Sequence, residues 1–142
     1  MNSEPEIGAS AQARTCVVHA DLASAVGIDA RDVFPPVYAT SRLVALMEIA
    51  AARVLIPCLD AAEMSVGVTV DIVHAAATPV GAEVTANARL VGRDGKLFVF
   101  EVTARDPAGE VGRGTHKRAV VSAERLVSGA ARRAATGENG YG

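Results

Sequence analysis

The 142-residue sequence has few aromatic side chains: they make up 4% of it, and tryptophan is absent. Because large rings are scarce, valine, alanine and leucine must fill the hydrophobic core, and such side chains suit a sheet packed on a helix. The chain has only two cysteines, Cys16 and Cys58, which excludes a disulfide-rich framework. We expect both to be small, buried side chains of a protein in a reducing compartment.

Basic residues are not in excess, since the net charge is −2, and this argues against a nucleic-acid partner. No apolar run approaches the roughly 18 residues that cross a bilayer, so no membrane partner is expected. Residues 1–6 are polar and acidic, unlike a signal peptide, which favours a cytoplasmic protein. Three isolated histidines and the lack of a Cys-x-x-Cys, phosphate-loop or dinucleotide motif predict neither metal nor cofactor.

The pattern along the chain predicts a strand, a long helix and then four strands. Residues 43–59 are rich in alanine and leucine and lack glycine, which indicates a helix that is apolar nearly all round. The strands are predicted, from alternating apolar and polar positions, at residues 13–22, 64–74, 83–90, 96–105 and 111–123. One helix across an antiparallel sheet of about five strands is an α+β fold.

Composition also divides the chain into three parts. Residues 1–12 are predicted to be a flexible N-terminus, residues 13–127 one folded domain, and residues 128–142 a disordered tail rich in serine, glycine, alanine and arginine. Because one sheet cannot cover a helix that is apolar on every side, we expect a second copy of the chain to cover the rest. The predicted assembly is therefore at least a homodimer.

Glu48 is the one carboxylate in the predicted helix, and an unpaired buried carboxylate costs several kcal/mol or takes up a proton. Arg53 lies five positions away, on a different side of a helix, so it is not a natural partner. This favours a functional role for Glu48. The alternative is a solvent-facing position, or a pair with an arginine from elsewhere in the chain.

His74 ends the apolar face of its predicted strand, where a lone histidine is most often a hydrogen-bonded core residue. The helix that carries Glu48 should cover the same face, and a carboxylate and an imidazole in a dry cleft form an acid–base pair. On local grounds Thr40 is a helix N-cap, although a nearby base would make it a nucleophile. Eight helical residues rise about 12 Å, so Thr40 does not reach Glu48 along a straight helix.

Two further features have both a functional and a structural interpretation. Gly67 interrupts an apolar strand, where its N–H can support an oxyanion that develops in a reaction, or where it marks a bulge or tight packing. Residues 112–118 carry three cations and two glycines, which suits either the phosphates of a nucleotide-like carrier or solvated charge on an edge strand.

Five short motifs, taken together, resemble the fluoroacetyl-CoA thioesterase family of hot-dog proteins. They are Phe-Pro-Pro-Val-Tyr-Ala-Thr at 34–40, Leu-Met-Glu at 46–48, Ser-Val-Gly at 65–67, Val-His-Ala-Ala-Ala-Thr-Pro at 73–79 and Gly-Thr-His-Lys-Arg-Ala-Val at 114–120. The resemblance runs from about residue 13 to residue 125. It implies a hot-dog dimer that hydrolyses acyl-CoA without metal or cofactor.

The resemblance also implies roles for single residues. Thr40, Glu48 and His74 match the catalytic groups, Gly67 matches a glycine that holds the acyl group, and Arg118 matches an arginine associated with CoA. Phe34 matches one of two phenylalanines in a substrate lid, but Arg31 stands where the fluoroacetyl-specific member has the other. Selectivity for fluoroacetyl-CoA is therefore not predicted.

The sequence thus predicts hydrolysis of a small acyl-CoA, with His74 and Glu48 activating either Thr40 or a water molecule. Attack through a covalent Thr40 ester and direct attack by water both fit, as do CoA and a carrier protein as the thiol carrier. Two other functions stay open: a hot-dog hydratase or dehydratase, and a non-catalytic acyl-CoA or acyl-carrier binding module.

Overall fold

One antiparallel sheet of five strands packs on the long helix of this chain, as a computed structural model of residues 1–137 describes it. The strands and helices are β1 (Ser10–Cys16), α1 (Thr40–Leu55), β2 (Glu63–His74), β3 (Glu83–Asp94), β4 (Leu97–Asp106), β5 (Gly109–Ser122) and α2 (Ala123–Ala135). The strand order is β1-β3-β4-β5-β2, so β1 and β2 form the two edges of the sheet. The α+β prediction is confirmed.

The core lies between one face of the sheet and α1. Every second residue of β3 and β4 is buried, as their alternating sequences predict: Val84, Ala86, Ala88, Leu90, Phe98, Phe100, Val102 and Ala104. Leu43, Met47 and Ala50 of α1 pack against this face. The opposite side of the helix is more open, since Val44, Glu48 and Ala52 are half-buried and Ile49 is exposed.

The helix begins three residues earlier than predicted, and Thr40 does not cap it. Ala39 is the N-cap residue and contributes no side-chain hydrogen bond, so Thr40 is the first residue of the helix proper. Proline at position 57 cannot continue an α-helix, and the chain instead makes a 3-10 turn at Ile56–Cys58. The hydroxyl of Thr40 is therefore available for another contact.

A β-bulge in β2 changes which of its residues face the helix. Gly67 pairs with Arg118 and Thr69 pairs with Lys117, so Val68 is an extra residue that lacks its own partner on β5. An extra residue moves every position beyond it to the other face of the sheet. The prediction that all even residues from 64 to 74 share one face is thus wrong. Ser65 and Gly67 join the face of His74, and Met64 is exposed.

The N-terminal region is more ordered than predicted. The first three residues of β1 fall within the stretch predicted to be flexible, and the Met1 amino group lies 2.8 Å from Glu63 Oε1. β1 ends at Cys16, six residues before its predicted end, because short 3-10 turns at His19–Asp21 and Ala23–Ala25 follow it.

The C-terminal region corrects a second prediction, since α2 occupies Ala123–Ala135 where disorder is predicted from residue 128. The Ser122 hydroxyl caps this helix by accepting a hydrogen bond from the Arg125 N–H, and the segment is rich in alanine, a strong helix former. No residue of α2 is buried. The remainder of the predicted tail, residues 138–142, lies outside the described residues.

The cysteines differ from each other: Cys58 is buried as predicted, whereas Cys16 is exposed, and both are free thiols. Neither helix within residues 1–137 is long and apolar enough to span a membrane. Over the same residues, His, Cys, Asp and Glu side chains do not form a group of three suited to hold a metal ion.

Candidate active site

Thr40 and His74 meet where the start of α1 approaches the end of β2. Thr40 Oγ1 lies 2.7 Å from His74 Nδ1, a hydrogen-bond distance between a hydroxyl and a potential general base. α1 and β2 run in opposite directions at this point, so residues 34 positions apart in sequence are brought into contact. This is the nucleophile–base geometry that the functional interpretation of Thr40 requires.

The other ring nitrogen of His74, Nε2, makes no hydrogen bond within the described residues. This nitrogen is also buried. If the Thr40 hydroxyl donates to Nδ1, then Nε2 carries the ring proton and needs an acceptor. Burial lowers the pKa of His74 below its ordinary value, while an interaction with the Ala76 backbone opposes part of that shift. The imidazole is thus held in its neutral form, in which it can accept a proton at neutral pH.

A cleft of about 340 Å³ opens beside this pair. Its walls are small and mostly apolar: Ala23, Pro35, Val37, Tyr38, Thr40, His74, Ala75, Ala76 and Ala77 line it. The Tyr38 hydroxyl donates to the Arg42 carbonyl at 3.1 Å, and burial raises the pKa of Tyr38 to about 12. Tyr38 therefore stays neutral. Because its walls are small and mostly apolar, the cleft suits a short acyl chain.

Glu48 lies in a different environment, eight residues along α1. Its side chain is 38% exposed, and its Oε1 lies 3.7 Å from Arg118 Nη1 and 3.9 Å from His116 Nε2. Glu48 therefore pairs with an arginine from elsewhere in the chain, Arg118, which is the alternative to an unpaired carboxylate that the sequence left open.

Gly67 provides the space that the Glu48 carboxylate occupies. A Cβ at position 67 would collide with Glu48 Oε1 and would lie 3.2 Å from His116 Cε1. Gly67 faces the helix because of the bulge at Val68, so the two interpretations of this glycine, a bulge and a functional position, are compatible. Its lack of a side chain places Glu48 against bare backbone.

Arg118 and His116 form the buried part of this cluster. Arg118 is 7% exposed and His116 1% exposed, and both lie on the inner face of β5. Burial lowers the pKa of His116, and the Arg118 charge lowers it further. His116 is a residue that the sequence analysis missed. The alternation of the strand could have indicated it, because residues 114, 116 and 118 share one face of β5 while Arg113, Thr115 and Lys117 point outward from the other.

Within one chain, the two groups of residues are separate. Thr40 contacts His74, and Glu48 contacts Gly67, His116 and Arg118. Eight helical residues separate Thr40 from Glu48 by about 12 Å, and the seven residues between Gly67 and His74 span roughly 20 Å. The expected pairing of Glu48 with His74 is therefore not made within one chain.

The remaining predicted residues lie around these two groups. Phe34 is half-exposed in the loop before α1, and Arg31 in the same loop forms an ion pair with Asp29 at 2.8 Å. The three cations of residues 112–118 all have partners: Arg113 pairs with Glu110, Lys117 with Asp94, and Arg118 with Ser65 and Glu48. β5 is also an inner strand, not the edge strand considered above.

Comparisons with known proteins agree with this architecture. The Fluoroacetyl-CoA-specific thioesterase family matches residues 17–124. A fluoroacetyl-CoA thioesterase from Streptantibioticus cattleyicolor is 42% identical over 93 residues, which cover 66% of this chain and 67% of that protein.

Solved structures extend the similarity to nearly the whole chain. The fluoroacetyl-CoA thioesterase FlK superposes with a TM-score of 0.87 at 31% identity, covering 92% of this chain and 98% of that one. A threonine-to-serine variant of FlK, in complex with acetyl-CoA, has a TM-score of 0.85 at 31% identity, covering 90% and 98%. A hot-dog-like protein from Thermanaerovibrio acidaminovorans shares the fold, with a TM-score of 0.75 at 24% identity, covering 89% and 91%. This chain therefore has the hot-dog fold and belongs to the fluoroacetyl-CoA-specific thioesterase family.

Proposed function

We propose that this protein hydrolyses a small acyl-CoA thioester to the free acid and CoA. The observation that carries the proposal is the 2.7 Å contact between Thr40 Oγ1 and His74 Nδ1 in the wall of a small apolar cleft. The acetyl-CoA bound to the FlK variant supports a CoA-linked acyl group as the substrate. The family match lies inside residues 13–127, which we take as the thioesterase domain.

His74 acts as the general base in this proposal. Its Nδ1 accepts the proton of the Thr40 hydroxyl, or of a water molecule held by that hydroxyl, as the oxygen attacks the thioester carbonyl. The C–S bond then breaks, and the proton passes from His74 to the departing CoA thiolate. In the covalent route one water molecule then hydrolyses the Thr40 ester, whereas in the direct route the water itself is the attacking group, so both routes consume one water and release one acid and one thiol.

Glu48 completes the site from a second copy of the chain. β2 is a 12-residue edge strand without lysine, arginine or proline, and Met64, Val68, Val70 and Val73 on it are exposed. Long apolar edges of this kind pair with another chain. Antiparallel pairing of β2 with its copy, about a twofold axis near Val70, would put Gly67 of one chain beside His74 of the other.

This pairing would satisfy the buried Nε2 of His74. Because Glu48 lies against Gly67, the same twofold axis carries the Glu48 carboxylate toward the partner's His74 ring. The carboxylate would accept the Nε2 proton and stabilise the imidazolium that forms when Nδ1 takes up a proton. The proposed site is thus made of Thr40 and His74 from one chain and Glu48 from the other, and it requires the homodimer.

The other candidate residues have supporting roles in this arrangement. The Gly67 N–H would donate to the thioester oxygen as negative charge develops on it. Phe34, on the loop beside Pro35 of the cleft, would cover the acyl chain, and Arg118 would supply positive charge near the CoA portion. We also propose that the enzyme works in the cytoplasm, where its free thiols Cys16 and Cys58 stay reduced.

A free-thiol release assay over short, branched and aromatic acyl-CoAs tests the proposed function. The account predicts turnover of short acyl chains and, for Glu48→Gln, a loss of at least about 100-fold while the dimer persists. Glu101→Gln, a change at an exposed carboxylate of β4, serves as the control. Tight binding of acyl-CoA without thiol release, or a hydrated thioester in the mass spectrum, would reject hydrolysis.

A further inference from the structure

A continuous series of polar contacts runs beneath Glu48, and it begins at the backbone of β2. His116 Nδ1 lies 2.8 Å from the Thr69 carbonyl oxygen. A carbonyl has no proton to give, so Nδ1 must be the donor, which fixes the tautomer of the neutral ring. Nε2 of His116 is consequently left with a lone pair. Burial lowers the pKa of His116 and thereby favours this neutral form.

Arg118 uses that lone pair. Its Nη1 lies 3.1 Å from His116 Nε2 and donates to it, while Nε donates to the Ser65 hydroxyl at 2.9 Å and Nη2 to the Ser65 carbonyl at 3.0 Å. Three of its nitrogens are thus fixed in a buried setting. A guanidinium is a planar and rigid group, so these contacts also fix the direction in which Arg118 presents its charge.

The nitrogen held by His116 is also the one that faces the carboxylate. Arg118 Nη1 lies 3.7 Å from Glu48 Oε1, whereas Ser65 holds the other side of the guanidinium. If His116 offered a proton at Nε2 instead of a lone pair, it would repel Nη1 and turn it away. The tautomer of His116 therefore controls the position of the Arg118 guanidinium relative to the Glu48 carboxylate.

We infer that His116 is a positioning residue for thioester hydrolysis: it orients Arg118, and Arg118 holds the Glu48 carboxylate over Gly67 in its reactive position. The inference rests on the proposed function, because it assumes that Glu48 takes part in the reaction. It gives His116 its main role in the rate of the chemical step, with a smaller effect on acyl-CoA binding through the charge of Arg118.

Two substitutions separate this role from a purely structural one. In His116→Gln, the side-chain oxygen can reach the place of Nε2 and accept from Arg118. In His116→Asn, the side-chain amide can take the place of Nδ1 and donate to Thr69, but Arg118 loses its acceptor. Positioning predicts that Gln keeps kcat within about threefold, whereas Asn lowers kcat by about 10- to 100-fold and changes KM by less than about threefold.

If His116 instead serves only to hold the bulge through its hydrogen bond to Thr69, the Asn variant should keep its kcat and the Gln variant should lose it. That result would overturn the inference. Wild-type kcat in the Asn variant would also overturn it. The exposed residue His19, changed to Gln, is the control. The same assay separates the possible failures. Absence of thiol release from the unmodified protein rejects the proposed function, and a normal rate in Glu48→Gln removes Glu48 from the mechanism. A normal rate only in His116→Asn rejects positioning alone.

A measurement on the unmodified protein covers the case in which these variants do not fold. Nitrogen-15 NMR of histidine-labelled protein at neutral pH should find His116 with its proton on Nδ1 and a bare Nε2. Assignment follows from the signal that is missing in His116→Gln, or from through-bond connection to the ring if that variant is unfolded. A proton on Nε2, in the neutral ring or in the imidazolium, would contradict the inference.

Discussion

The two polar groups on α1 differ in how completely each is partnered within one chain. At the start of the helix, Thr40 and His74 border an open cleft, and His74 keeps a buried nitrogen without a partner among the described residues. At the middle, Glu48 lies beside a guanidinium that is itself held by Ser65 and His116. In the proposed mechanism the first group supplies the reactive atoms but lacks an acceptor for a proton on His74 Nε2, and the second group supplies that acceptor, the Glu48 carboxylate. Pairing of two chains through β2 would place the Glu48 carboxylate of one chain beside His74 of the other.

The largest expected effect comes from the incomplete group. In the proposed mechanism His74 is the base that takes the proton of Thr40 or water, so we expect His74→Ala to lower thiol release by about 10²- to 10⁴-fold. The exposed residue His19, changed to Ala, should leave the rate within about twofold. Initial rates with a short acyl-CoA measure both. A His74→Ala enzyme that retains most of its activity would remove His74 from the mechanism.

The next effect concerns the space that Glu48 occupies. In Gly67→Ala the new methyl group collides with the carboxylate, which must turn away, so we expect activity to fall by about tenfold or more. Because the displaced atoms belong to a flexible side chain, the loss in unfolding free energy should stay near 1 kcal/mol.

Gly92→Ala is the matched control, since a Cβ at that strand position meets no atom within 4 Å. Chemical denaturation gives the stability of both variants, and thiol release gives their rates. If Gly67→Ala loses stability and keeps its rate, the close approach of Glu48 to the β2 backbone has no part in catalysis.

The smallest effect is a pH dependence of stability. His74 and His116 both have pKa values below the ordinary 6.5, so as the pH falls below 6.5 the unfolded chain takes up protons that the folded chain does not. The free energy of unfolding should therefore decrease as the pH falls below 6.5, by at most about 1.4 kcal/mol per pH unit for each histidine.

His116→Gln removes one of these histidines, so its unfolding free energy should change less steeply over the same pH range. Urea titrations at a series of pH values would measure the slopes. Equal slopes in the variant and the original protein would mean that His116 does not resist protonation in the fold.

Much of the architecture follows from the alternation of residues. β3 and β4 bury every second side chain as their sequences predict, because each has one face on the core and one in solvent. α2 was not predicted, since its helix depends on a serine cap and on alanine content in a segment whose polar composition resembles a disordered tail. Local composition does not distinguish these two states.

The site could be predicted only in part, for two physical reasons. The bulge at Val68 turns Gly67 and Ser65 toward the helix. Gly67 offers a bulge as one of two interpretations, but the alternating valines do not show which residue is inserted or that the faces change there. The partner of Glu48 is the second reason: Arg118 lies 70 positions away, and only the pairing of β5 with β2 puts it there. Residue type alone points to Glu48 and His74, whereas only the fold shows how far apart the two side chains lie within one chain.

A mixed dimer gives the most direct test of the claim that Glu48 serves the His74 of the other chain. Glu48→Gln and His74→Ala chains with different affinity tags are co-expressed, and dimers that carry both tags are purified. One site of such a dimer then has both substitutions and the other has none, so the account predicts about half the activity of the original dimer. A mixed dimer as inactive as its two parents would contradict the account, because a site built within one chain would be damaged in both halves.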